Sequence, residues 1–396
     1  MRVPPAELPG ADFYGFAQSL SAEEQAKMAQ LREFLATEVT PHAVDWWNDA
    51  EFPAHILPKI AALELAAPDR RQFSHLFTGL VVAEMTRADT SLATFFLVHH
   101  DLFVQALIDF GTVEQKERML PDAITLRSTG AFALTEPDHG SDVAGGMVTT
   151  ARREVDDAGT HWVVNGAKRW IGNGTFCHRM LLWARDAESG QVRGFFLDAA
   201  LPGVVRSKIE NKIALRTVQN AHITLTDVRV EEADRLASVN SFEDINKLLL
   251  SSRISVAWQA VGQQLAAFDV ARAYAVERQQ FGKPLAAFQM IQDQLVKMLG
   301  NATSSLAMMV RIAALQDGAG AGPTMAQVAL AKAHTTAAMR ESVSMGRSIL
   351  GGNGIVSDFG MAKIFADAEA IYTYEGSHQI NTLIAGRAIT GVSAIV

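Results

Sequence analysis

The side chains best suited to chemistry sit in segments far apart along the chain. Ala133-Leu134-Thr135-Glu136-Pro137-Asp138-His139-Gly140-Ser141-Asp142 combines hydroxyls, carboxylates and a small Gly, and Arg278-Gln279-Gln280-Phe281-Gly282 pairs a cation with an aromatic ring. Gly351-Gly352-Asn353-Gly354 is a short Gly-rich turn, and Tyr374-Glu375-Gly376-Ser377 sets a carboxylate beside a Gly that lets a ligand approach the backbone. A carboxylate so placed suits general acid–base work, in which a proton acceptor is held against the reacting atom. The commoner fate of a Glu is a solvated loop. Other chemistries lack their residues. There is no P-loop and no G-x-G-x-x-G, Gly172-Asn173-Gly174 being too short to cradle a dinucleotide. His99 and His100 are adjacent and diverge on a helix, and Cys177 stands alone, so no metal site is expected. No G-x-S-x-G elbow marks a serine hydrolase.

The elements that must position these segments change texture along the chain. Helical patterning opens at Ser21-Ala22-Glu23-Glu24, a capping-box pattern, and continues through Met28, Leu31, Phe34 and Leu35 at helical spacing to about residue 125. Around Ala131 the chain turns β-rich: Trp162-Val163-Val164-Asn165-Gly166 ends in a type I′ hairpin signal, and strands are predicted over 179–185, 192–198 and 220–230. From Ser241 helices return, with Gly318-Ala319-Gly320-Ala321-Gly322-Pro323 as a loop and further helices over 324–349 and 359–370. The reading is three domains: 1–130 helical, 131–240 β and 241–396 helical.

In this order the segments resemble the acyl-CoA dehydrogenase family over essentially the whole chain. Glu51-Phe52-Pro53, Lys168-Arg169-Trp170-Ile171-Gly172-Asn173, Asn211-Lys212-Ile213-Ala214-Leu215-Arg216 and Gly386-Arg387-Ala388-Ile389-Thr390-Gly391 are most similar to the branch of glutaryl-CoA dehydrogenases and plant peroxisomal short-chain acyl-CoA oxidases. The resemblance implies an α+β fold: an N-terminal helical domain, a middle β-barrel-like domain and a C-terminal four-helix bundle. It implies FAD as cofactor and Glu375 as the base that takes the α-proton of an acyl-CoA while the β-hydride passes to flavin, giving a trans-2-enoyl-CoA. Some relatives carry the base on the helix near 250, where this chain has Leu250, Ser251 and Ser252. Phe132, Leu134, Thr135, Gly140, Ser141, Trp170 and Gly172 match the flavin-ring segments; Arg278 and Phe281 match an Arg-x-x-Phe that reaches a neighbouring subunit's FAD, joined by Gly351, Ser377 and Gln379. Ser348 stands where several relatives have Gln. Ser141, Arg253, Tyr374 and Gly376 match acyl-CoA contacts, which Lys212 and Arg216 would extend unless they pair with carboxylates.

Substrate choice follows from Asp89-Thr90-Ser91-Leu92-Ala93, where glutaryl-specific relatives place an Arg for the distal carboxylate. Burying a carboxylate without that partner costs several kcal/mol. A short- to medium-chain acyl group is therefore expected, with Phe95 and Phe96 either shortening the tunnel or filling the core. The resemblance further implies a homo-oligomer, a tetramer in the family's usual assembly, that passes electrons to an electron-transfer flavoprotein. The alternatives are an acyl-CoA oxidase that uses O₂, a flavin monooxygenase, and, in another functional class, a non-catalytic FAD- or CoA-binding subunit.

The composition fits this reading. Among 396 residues, 48% are hydrophobic and 20% charged, which makes a globular chain with length for more than one core. A net charge of −8 argues against a nucleic-acid-coating surface. Polar residues interrupt every apolar run before bilayer-spanning length, so no membrane association is expected. Met1-Arg2-Val3-Pro4-Pro5 has no apolar or amphipathic leader, Ala394-Ile395-Val396 is no peroxisomal tripeptide, and the single Cys suits a reducing compartment. The expected location is the cytoplasm.

Overall fold

The computed structural model describes residues 8–66, 73–157 and 159–394. Met1-Arg2-Val3-Pro4-Pro5, Ile395 and Val396 lie outside the described residues. Helices come first: α1 (Ala22–Phe34), α2 (Ala43–Asp49), α3 (Leu57–Ala62), α4 (His75–Ala88), α5 (Thr90–Leu97), α6 (Gln105–Phe110) and α7 (Val113–Ile124). The capping box at Ser21 forms as expected, with Ser21 N donating to Glu24 Oε2 at 2.9 Å and Glu24 N to Ser21 Oγ at 3.2 Å. Met28, Leu31 and Phe34 are buried on the inner face of α1. Periodicity did not reveal that α5 continues into a π-helical segment, Val98–Val104. One extra residue per turn there sends His99 and His100 into different stacks, against Phe95 and Phe103 for His99 and against Phe96 for His100.

A curled sheet follows, made of β1 (Gly130–Ala133), β2 (Thr150–Asp156), β3 (Gly159–Ile171), β4 (Arg179–Asp186), β5 (Val192–Asp198), β6 (Val204–Lys208) and β7 (Ala221–Glu231), with the short α8 (Val143–Gly146) after β1. Its order is β1-β4-β2-β3-β7-β6, with β5 also on β4. Side chains alternate as strand geometry requires: Ala131, Met180 and Leu182 join a core within the sheet, whereas Phe132, Leu181 and Trp183 pack against helical Leu102, Phe103 and Leu107. The hairpin expected at Asn165-Gly166 is not there. β3 runs straight through, because Asn165 braces a bulge in β7 instead, accepting from Asp227 N at 2.9 Å and donating to Asp227 Oδ1 at 3.0 Å. Gly166 is needed at φ 147 because a Cβ there would lie 2.6 Å from Thr149 Oγ1. The β2–β3 pairing instead ends at Asp156 and Gly159.

The last part is helical: α9 (Phe242–Glu277), a hairpin of β8 (Gln279–Gln280) and β9 (Lys283–Pro284), α10 (Gln289–Gln316), α11 (Met325–Ile349), α12 (Met361–Thr373) and α13 (His378–Thr390). A buried ion cluster joins all three parts. Lys363 of α12 lies 2.8 Å from Asp89, which caps α5, and 3.1 Å from Asp367, whose Oδ1 accepts from Trp47 Nε1 at 2.9 Å and from Leu215 N at 2.6 Å. The expectation of no membrane-length run needs correction: Thr90–Phe110 and Gln289–Gln316 contain 18-residue windows of mean hydropathy 1.4 and 1.2. Isolated polar residues are averaged out over such a window. The first run is largely buried in the protein; the second leaves Met290 and Val296 exposed.

Candidate active site

Glu375 occupies the turn between α12 and α13, and the surrounding helices determine its shape. Glu375 and Gly376 both take left-handed conformations, φ 53 and 75. For Gly this costs little, but for Glu it is strained and persists only if neighbours impose it. They do so through the backbone carbonyls. Lys332 of α11 donates to Tyr374 O and Gly376 O, Arg253 Nε of α9 to Glu375 O at 3.3 Å, and Asn381 Nδ2 to Gly376 O at 2.7 Å. Ser252 Oγ of α9 donates to the carboxylate Oε2 at 2.7 Å. Below, the buried Tyr374 hydroxyl donates to Gln259 Oε1, and Gln259 Nε2 donates to Thr94 Oγ1 at 3.1 Å.

The ring-binding segments assemble around β1 and β3. Lys168 and Glu136 form a fully buried ion pair at 2.9 Å, and Lys168 also donates to Leu134 O at 3.0 Å. Glu136 accepts from Val148 N and Thr149 N at 2.7 and 2.9 Å. Burial pushes the Lys168 ammonium down to about 8, against the attraction of Glu136. Arg169 N donates to Thr135 O at 2.8 Å, which sets half-buried Thr135 beside Trp170, an indole 53% exposed on a left-handed backbone of φ 63. Gly172 packs under Val98, whose Cγ2 would lie 3.1 Å from an added Cβ. Asn173 Nδ2 then donates to Phe95 O at 3.3 Å. Thr94 touches the Tyr374 side and Phe95 the Asn173 side, so successive residues of α5 bring the base loop and the Trp170 turn together.

Not every matched residue sits in this group. The Phe132 ring packs against Trp183 at 6.0 Å in the core, so its backbone alone is available to a ligand. Leu134 is buried; Gly140 and Ser141 lie on an exposed loop. Arg278 and Phe281 project at the β8–β9 hairpin, Phe281 being 92% exposed. Gly351 (φ 59) has open space where a Cβ would stand, Gln379 is exposed, and Ser377 caps α13 by accepting from Ile380 N at 3.3 Å. Among the described residues, Lys212 and Arg216 have no carboxylate within salt-bridge distance. Lys212 donates to Leu215 O, Val218 O and Asn220 Oδ1, and Arg216 to Trp47 O and Asn48 O. Phe95 packs tilted against Phe52 and Phe96 stacks on His100, both buried in the core. A cavity of about 140 Å³ lies on the other face of α9, lined by Ser251 and Ser255 rather than by Ser252 and Arg253. Ser252 and Lys332 had no motif to announce them.

Three family models match the chain: acyl-CoA dehydrogenase N-terminal domain over residues 21–127, middle domain over 131–228 and C-terminal domain over 242–390. The chain belongs to the acyl-CoA dehydrogenase family. It is 30% identical over 379 residues to the short-chain specific acyl-CoA dehydrogenase, mitochondrial, of Mus musculus, covering 93% of this chain and 90% of that protein. It is 31% identical over 374 residues to the caffeyl-CoA reductase-Etf complex subunit CarC of Acetobacterium woodii, covering 91% and 97%. Among solved structures, glutaryl-CoA dehydrogenase from Mycobacterium smegmatis matches with a TM-score of 0.92 at 31% identity, over 98% of this chain and 100% of that one. As a member of the acyl-CoA dehydrogenase family, the protein is an oxidoreductase acting on CH–CH groups, with FAD as cofactor. Its own residues fit that cofactor: the exposed indole of Trp170, held on a left-handed backbone beside half-buried Thr135, suits a flat ring system, and Gly351 leaves room for close approach.

Proposed function

We propose that the protein dehydrogenates a short- to medium-chain acyl-CoA to the trans-2-enoyl-CoA in the cytoplasm, with Glu375 as the base, and delivers electrons to an electron-transfer flavoprotein. One observation carries this reading. The Glu375 carboxylate is held by Ser252 at 2.7 Å in a turn whose carbonyls are fixed by three other side chains, and adjacent residues Thr94 and Phe95 of α5 link this turn to the segment that follows Trp170. Such a carboxylate is fixed in place before substrate arrives, which is what proton abstraction next to a thioester requires. The Glu375 N–H has no acceptor among the described residues and is free to donate to the thioester oxygen as enolate charge develops there. Bound FAD supplies the hydride acceptor. Thr135, Trp170 and Gly172 would hold its ring, and Gly140 and Ser141 would border the entrance.

The hydrogen-bonded chain Tyr374-Gln259-Thr94 fills the interior next to the base turn with ordered side chains. That supports a short acyl group. Ala93 is buried and the nearby buried cation, Lys363, is already shared by Asp89 and Asp367, which disfavours a distal carboxylate at that position. Arg253, donating to Glu375 O, is a cation beside the base turn that would make a charge-assisted contact to an anionic thioester ligand. A relative that is part of an Etf complex supports the choice of acceptor. The exposed Arg278 and Phe281 support a homo-oligomer, a tetramer by family habit, in which the hairpin completes a neighbour's FAD site. Cys177 is buried, its thiol pushed up to about 11, in keeping with a reducing compartment.

The test is an anaerobic titration of the yellow protein with acyl-CoAs of increasing length. Bleaching of the flavin, strongest with short straight chains and absent with a dicarboxylyl thioester, is expected. Failure of every acyl-CoA to bleach it would leave a binding subunit rather than an enzyme. Reoxidation by an electron-transfer flavoprotein faster than by O₂ separates dehydrogenase from oxidase.

A further inference from the structure

Lys332 is fully buried on α11, and its ammonium rests on the carbonyl oxygens of Tyr374 and Gly376, the residues on either side of Glu375. Among the described residues no carboxylate lies within salt-bridge distance of it. A buried charge bonded only to neutral carbonyls is costly, and a Gln amide could satisfy the same oxygens without that cost. The charge therefore needs a reason beyond filling hydrogen bonds. In a trans peptide the C=O and N–H point in opposite directions, so the cation on Tyr374 O sits at the far end of the same peptide unit as the unpartnered Glu375 N–H. A charge-assisted bond at one end of a peptide strengthens the donor at the other.

We propose that Lys332 is a positioning residue for the dehydrogenation: it fixes the left-handed turn and, through the Tyr374–Glu375 peptide, sharpens the N–H that stabilises the enolate-like oxygen. This rests on the reading of Glu375 given above. The chemistry is unchanged: the α-proton goes to the Glu375 carboxylate, the hydride leaves with the cofactor, and Lys332 gives up no proton. Arg253 from α9, Tyr374 and Glu375 from the turn, and His378 from α13 are the charged and titratable groups that surround it. Burial brings Lys332 down to about 7, with the Glu375 charge opposing and that of Arg253 assisting. The polarising charge is thus present below that pH and lost above it.

The experiment follows deuterium exchange at the α-carbon of acetyl-CoA, which has no β-carbon and so separates proton transfer from hydride transfer. FAD absorbance and acyl-CoA affinity are measured on the same FAD-loaded protein. Lys332→Gln should keep FAD, bind acyl-CoA within about threefold of wild type, and exchange about 10–100-fold more slowly. Wild-type exchange should decline as pH rises through about 7, and Lys332→Arg, charged throughout, should not show that decline. Wild-type exchange in Lys332→Gln at every pH, beside an inactive Glu375→Gln, would overturn the role of Lys332 while leaving the base in place. Full exchange by Glu375→Gln would remove both. If Lys332→Gln does not retain FAD, the Arg variant decides: an alkaline decline equal to wild type refutes the proposal, and a flat profile upholds it.

Discussion

Glu375 and Ser252 make the smallest test of this account. The hydroxyl donates to Oε2 at 2.7 Å, and a hydrogen bond to a charged group contributes about 1.5–3 kcal/mol. Ser252→Ala should leave FAD bound and lower kcat for flavin reduction about tenfold as the carboxylate samples other rotamers; unchanged reduction in a rapid-mixing experiment would show that the bond does not position it. The sequence pointed to Glu375 because it stands in the Tyr374-Glu375-Gly376-Ser377 motif, and to Arg253 only because the family resemblance places an acyl-CoA contact there. The stretch near 250 was legible only as lacking a carboxylate. What fills that place is the hydroxyl that holds the distant one, a relation carried by the packing of α9 against the 374–376 turn. Lys332 was hidden in an Ala-rich helix, where a Lys reads as a surface charge. Its faint signal is that it shares a face with buried Val328, Ala331 and Thr335.

At the scale of elements, buried polar groups set how the ring-binding strands meet the helices. Replacing Lys168 with Met leaves Glu136 buried without its cation, and removing one partner of such a pair costs about 3–5 kcal/mol. Chemical denaturation should show that loss, together with weaker FAD retention, because Lys168 also fixes Leu134 O. His99 ties α7 to β1, accepting from Gly130 N at 2.8 Å and bonding Ala123 O through Nε2 at 2.9 Å. Burial lowers it from 6.5 to about 4. Above pH 6.5 the imidazole is neutral in both folded and unfolded chains and has no effect. Below it, the unfolded chain takes up a proton that the fold refuses, so stability falls between pH 6.5 and 4 by about 3 kcal/mol. Denaturation curves across that range should show this extra loss in wild type relative to His99→Gln. Local patterning located β4, β5 and β7 to within a residue or two. It misplaced the turn at Asn165-Gly166 because the same dipeptide that closes a hairpin also suits a bulge, and only the pairing with β7 decides between them.

For the whole molecule, the order of helices, sheet and helices was legible because hydrophobic period changes from helical to alternate and back. The joint between them was not, since Asp89, Leu215, Lys363 and Asp367 are far apart in sequence and meet only in the fold. Arg278 and Phe281 on the hairpin and the apolar Met290 and Val296 on α10 are exposed, and the proposed homo-oligomer would cover them. Phe281→Ser with Arg278→Ala should leave each subunit folded by circular dichroism while FAD is lost on gel filtration; tight FAD binding by a strictly monomeric protein would refute a shared site.

The central claim is that Glu375 takes the α-proton. Glu375→Gln, purified with FAD and assayed anaerobically, measures it most directly: α-hydrogen exchange and flavin bleaching should both fall at least about a thousandfold with the cofactor still bound. Exchange at the wild-type rate in that variant would contradict it.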